Sequence, residues 1–151
     1  MKKTFLALAV LGVMTSTAGF ANRRPAVDEG PVAAAFVRDF SKATLQHSDQ
    51  QDGITKLTFT LNDQVMFAYY TSSGELLAVI HNVLSTQLPL RLMAELKKDF
   101  SQYWISDLFE MSTDEQTTYY VTLQNAEQTI VLRSAGSGQW TRHKKIKKNL
   151  I

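Results

Sequence analysis

The stretch ITKLTFTLNDQVMFAYYT, residues 54–71, decides the fold. In its first half Leu57, Phe59 and Leu61 alternate with Lys56, Thr58 and Thr60. A period of two marks a half-buried strand, because successive side chains point to opposite faces of a sheet. Asn62–Asp63 follows, and both residues tolerate the positive φ that a two-residue hairpin turn demands. Gln64–Thr71 is then the returning, antiparallel strand.

Downstream, Ser72–Ser73–Gly74 reads as the next turn and Leu76–Leu84 as a third strand, giving a meander. Upstream, Gln46–Gly53 holds His47, Ser48, Asp49 and Asp52, turn-formers with no apolar partner, and reads as a loop. Before it Ala33, Phe36, Val37 and Phe40 recur at i, i+3, i+4 and i+7, an amphipathic helix running to about Thr44. Asp28 is its expected cap, and Pro31 suits the first turn. A second helix opens at Gln87–Leu88–Pro89. Leu92, Met93, Leu96 and Phe100 form its buried stripe, with Arg91, Glu95, Lys97 and Lys98 toward water. Strands resume at Tyr103–Met111, Thr117–Leu123, Gln128–Arg133 and Gln139–Ile146, separated by turn residues at Thr113–Asp114, Asn125–Ala126 and Gly136–Ser137–Gly138. Strands joined by such short turns must be antiparallel. The expected class is therefore α+β: an antiparallel β-sheet with two helices packed on one face, and a loose α-β3/α-β(3-4) duplication.

The N-terminus reads as an export signal: Lys2 and Lys3, the apolar run Thr4–Val13, then small residues up to Ala21. That run is shorter than the roughly 20 apolar residues a membrane-crossing helix needs. Residues 1–21 are the expected signal peptide, cleaved after Ala21 with Ala18 as the alternative. A flexible leader spans 22–30, a single domain 31–147, and a tail 148–151. The product is expected to be periplasmic or secreted, without stable membrane insertion. With 0 cysteines, no disulfide holds the fold, and thiol nucleophiles, thiolate metal ligands and lipid attachment at cysteine are excluded.

Of the 16 basic residues, Lys2 and Lys3 belong to the signal, so the remaining chain matches its 14 acids. The charges are segregated. Arg133, Arg142, Lys144, Lys145, Lys147 and Lys148 follow Ile130 with no acid among them, and the acids are densest at Asp107, Glu110, Asp114 and Glu115. A basic end can hold anionic lipid, a polyanion or nucleic acid. It can equally be a last strand whose lysines prevent edge-to-edge pairing. Export and a lack of interleaved aromatics beyond Trp140 argue against nucleic acid.

Catalytic patterns are absent from the sequence. His47, His81 and His143 are scattered, and only His47 with Asp49 approaches a metal-ligand spacing, short of the three or four ligands zinc needs. There is no Gly-x-Ser-x-Gly elbow, and Gly136–Ser137–Gly138 lacks the lysine of a phosphate loop. The four clustered acids could supply a carboxylate pair for glycoside hydrolysis or form a solvated rim at a strand end. No cofactor site is expected. If Leu57, Phe59 and Leu61 face the helices, the same alternation turns Tyr70, His81, Thr118, Tyr120, Thr122 and Arg133 to the uncovered face. Tyrosine and arginine there would anchor a protein or peptide partner. A shift of one residue reverses this assignment.

Taken in order, the export signal, Phe36-x-x-x-Phe40, Phe67–Ala68–Tyr69–Tyr70, Ser73–Gly74–Glu75–Leu76, Leu88–Pro89, Phe100–Ser101–Gln102–Tyr103, Tyr119–Tyr120–Val121 and the Gly138 turn into a basic end form a pattern. This pattern resembles the small periplasmic PepSY-like domains, whose fold is akin to the β-lactamase-inhibitor proteins, over about residues 31–147. The resemblance implies two helices on a curved antiparallel sheet. It also implies a non-enzymatic binding or inhibitory role, since PepSY domains are thought to restrain peptidases. β-Lactamase inhibitors of this fold carry disulfides and this chain has none, so neither their target nor their contact residues carry over. The alternatives are a small-ligand carrier, with an apolar pocket between sheet and helices, and an enzyme of unrecognised type, which would need at least two titratable groups converging in a cleft.

Overall fold

The computed structural model describes residues 30–136 and 138–148. The expected signal (1–21), nearly all of the leader and the final residues of the tail lie outside them. The element order is α1 (Pro31–Asp39), β1 (Thr44–Gln51), β2 (Ile54–Leu61), β3 (Gln64–Thr71), β4 (Leu76–Asn82), a 3-10 turn (Ser85–Gln87), α2 (Leu90–Asp99), β5 (Trp104–Ser112), β6 (Thr117–Gln124), β7 (Gln128–Ala135) and β8 (Thr141–Lys147). The eight strands form one curved antiparallel sheet in sequential order. Each neighbour in space is thus a neighbour in sequence.

The Asn62–Asp63 turn forms as its residues require, with φ of 50° and 61°. One strand was missed. Residues 44–51, read as the end of a helix and a loop, are the edge strand β1, and each half of the sheet has four strands. Asp52–Gly53, at φ of 51° and 77°, is the tight turn joining β1 to β2. An edge strand needs backbone pairing more than an apolar face, and β1 is exposed along most of its length. Helix α1 stops at Asp39 because Phe40 leaves helical geometry (φ −132°, ψ 58°) and lays its ring 4.7 Å from that of Phe59.

Both helices lie on the same side of the sheet, over separate cores. Helix α1 packs Ala35 and Phe36 against Leu57, Phe59, Ala68 and Tyr70. Helix α2 packs Leu92 and Leu96 against Leu108, Val121, Leu123, Ile130, Leu132 and Trp140. The Trp140 indole N–H donates to the Leu92 carbonyl at 3.0 Å, tying the entry of β8 to α2. Cross-strand pairing carries one face from core to core: Met66 opposes His81, His81 opposes Glu110, and Glu110 opposes Tyr119.

Candidate functional site

The face away from the helices carries Lys56, Thr58 and Thr60 on β2 and Val65, Phe67 and Tyr69 on β3. It continues through Ile80 on β4, Phe109 and Met111 on β5, Thr118, Tyr120 and Thr122 on β6, and Val131 and Arg133 on β7. Its centre is apolar. Ile80 is 6% exposed and Thr118 0%, although no helix among the described residues covers them. Aromatic rings run across it. Phe109 stacks on Tyr120 at 5.0 Å, the His143 ring meets Tyr120 edge-on at 5.8 Å, and Lys56 Nζ sits 4.7 Å from the Phe67 centroid. Stacked aromatics and a cation over a ring are pre-positioned, so little side-chain entropy remains to be lost when a partner docks. Thr118 Oγ1 and Arg133 Nε on this face are buried without a hydrogen-bond partner among the described residues.

Of the six residues expected on the binding face, Thr118, Tyr120, Thr122 and Arg133 lie on the uncovered side. Tyr70 and His81 do not. Tyr70 opposes Thr55 and shares the side of Leu57, so it is fully buried under α1 and its hydroxyl donates to Asp39 Oδ2 at 3.1 Å. His81 is turned over by a bulge: Tyr69 pairs with Ala78 but Tyr70 with Leu76, so Leu77 is extra and the parity of β4 reverses. The positions that sequence reasoning overlooked are Phe67, Tyr69 and Phe109.

The Tyr70–Asp39 contact gives a test of the corrected register. Burial, then the hydrogen bond to Asp39, pushes the Tyr70 phenol well above the ordinary tyrosine range. A folded pKa above the unfolded one gives stability that is complete below about pH 10 and lost as pH rises beyond it. Tyr70→Phe is therefore expected to cost about 1 kcal/mol at pH 7 and to flatten the alkaline loss. Urea midpoints at neutral and alkaline pH measure both, and an unchanged alkaline limb would contradict the buried placement.

The acids expected to cluster do not converge. Asp107 pairs with Thr122 on the uncovered face, Glu110 with Tyr119 on the helix side, and Asp114 and Glu115 occupy the β5–β6 turn. His81 and Glu110 face each other across β4 and β5 but form no ion pair among the described residues. His47 Nε2 lies 3.0 Å from Asp49 Oδ1 on the exposed edge strand. No group of three or more potential metal ligands occurs among the described residues. The described residues include two open clefts. One, of about 500 Å³, is charged and lies among Arg38, Asp39, Glu75 and Asp114. The other, of about 640 Å³, separates Gln64 and Asn82 from the first half of β5. The second mixes the aliphatic Val83, Leu84, Ile105 and Leu108 with polar residues and has neither the Phe nor the Met expected of an apolar-ligand carrier. No helix among the described residues is long and apolar enough to cross a membrane.

No protein-family profile and no curated protein matches the chain. Solved structures do share its fold. A BLIP-like protein from Bacteroides fragilis superposes with a TM-score of 0.68 at 12% identity, over 79% of this chain and 86% of that one. A DUF2874 family protein from Bacteroides ovatus gives 0.67 at 15%, over 79% and 86%. A candidate periplasmic protein from Bacteroides eggerthii gives 0.67 at 12%, over 78% and 86%. The chain thus has the BLIP-like fold, a curved eight-stranded sheet with two helices.

Proposed function

We propose that this protein is an exported, non-enzymatic binding module whose sheet face opposite the helices recognises a protein or peptide in the cell envelope. The observation that carries the reading is the pre-stacked pair Phe109–Tyr120, flanked by His143 and by Arg133, on a face that no helix covers. Aromatic and arginine side chains are the commonest energetic anchors of protein interfaces. The BLIP-like fold and a periplasmic structural neighbour support the class and the compartment, as do the signal-like residues 1–21. The resemblance to PepSY-like domains favours a peptidase as the restrained partner.

Capture of a partner from envelope extract, followed by direct titration with that purified partner, tests the proposal. Tyr120→Ala is expected to weaken binding about 30-fold, the scale of a central anchor. Val37→Ala, on the exposed side of α1, is expected to leave it unchanged. Undiminished binding by both Tyr120→Ala and Arg133→Ala rules this face out.

A further inference from the structure

We infer that one end of the sheet, formed by Trp104, Ile105, Ile146 and the basic strand β8, docks on an anionic phospholipid surface. Trp104 pairs with Gln124, Gln124 with Thr129, and Thr129 with Ile146. Trp104 and Ile146 therefore share one row of the uncovered face, about 15 Å apart at ordinary strand spacing. They are 54% and 46% exposed. Ile105, which pairs with Leu123 and so lies on the helix side of the same end, and Leu84 are also exposed and line the cleft beside β5. Lys148 lies between the two ends of the row. Its Nζ sits 5.2 Å from the Trp104 ring and donates to Gln124 Oε1 and the Asn125 carbonyl. Strand β8 is exposed along its whole length and carries Arg142, Lys144, Lys145 and Lys147 without an acid.

This mixture suits lipid better than protein. The buried centres of protein interfaces are depleted in lysine, whereas here Lys148 reaches the Trp104 ring and Lys144, opposite Val131, shares the face of Ile146, with Arg142, Lys145 and Lys147 on the other face of the edge strand. A bilayer surface accommodates both. Tryptophan sits at headgroup level, aliphatic side chains enter the acyl boundary, and each lysine near anionic headgroups raises partitioning roughly fivefold. Asp107 lies in the next row of the same face and Glu127 in the β6–β7 turn. Protection against edge pairing accounts for lysines on an edge strand. It does not account for an exposed Ile146 on that strand, or for Trp104 three strands away.

The test uses the protein as it accumulates in cells, its N-terminus mapped by mass spectrometry, with vesicles of phosphatidylcholine alone or mixed with phosphatidylglycerol. Binding is expected only to the anionic vesicles and to weaken with salt. It should be accompanied by a blue shift in tryptophan emission that Trp104→Phe abolishes, since Trp140 is already buried. Lys144→Gln should reduce partitioning about fivefold, and Ile146→Ser should reduce it severalfold. All these positions are exposed, so an unchanged melting curve is the control for folding. Four results overturn the inference: no vesicle binding, equal binding to neutral vesicles, an emission spectrum unmoved by binding, or retention on heparin without any on vesicles.

Discussion

Replacing Phe59 by alanine is expected to remove about 4 kcal/mol of stability, within the range of buried Phe→Ala changes. Phe59 is fully buried at the centre of the first core. Its ring meets Phe36 edge-on at 5.2 Å and Phe40 at 4.7 Å. These two residues bracket the end of α1, a helix of 9 residues, too short to persist in water without packing. The substitution therefore leaves a cavity and also removes the surface on which α1 rests. In urea, with a slope near 2 kcal/mol per molar, the midpoint should fall by about 2 M. Amide exchange over Pro31–Asp39 should quicken more than over α2, because the two cores share no buried residue. Val37→Ala, on the exposed side of the same helix, should change the stability by less than about 0.5 kcal/mol. A Phe59→Ala loss below about 1 kcal/mol would mean that α1 is not seated on β2.

Sequence periodicity identified the strands that have one wet and one dry side, and little else was needed for β2, β3 and the stripe of α2. It failed at β1, where TLQHSDQQ offers a single aliphatic residue and the strand is specified by the Asp52–Gly53 turn and by pairing with β2. It failed again for Tyr70, although the information was present. Counting outward from Asn62–Asp63 pairs Leu61 with Gln64, Phe59 with Met66, Leu57 with Ala68 and Thr55 with Tyr70. Tyr70 then belongs with Leu57, and Phe67 and Tyr69 belong on the opposite face. For His81 no such count suffices. The reversal comes from a bulge at Leu77, which carries no glycine or other local signal. Alternation within a strand is local, whereas the face on which a strand presents its residues depends on every turn and bulge before it.

Gly74→Ala is expected to cost about 3 kcal/mol of stability. Two effects combine there. Gly74 has φ of +82°, where any side chain is strained by about 1 kcal/mol. A Cβ at this position would also lie 2.6 Å from the Pro31 carbonyl oxygen and 2.9 Å from its carbon. Those are backbone atoms at the start of α1, so relief requires either the helix or the β3–β4 turn to move, at a cost typical of overpacking, about 1–3 kcal/mol. Gly53 separates the two contributions. It has φ of +77° but nothing within 4 Å of an added Cβ, so Gly53→Ala should cost only the conformational part, about 1 kcal/mol. The difference between the two variants in urea midpoint measures the contact between helix and turn alone. Equal losses would show that α1 does not begin against Gly74. A larger loss at Gly74 would show that the glycine in Ser73–Gly74–Glu75–Leu76 is required for seating the first helix on the sheet, beyond any need of the turn itself.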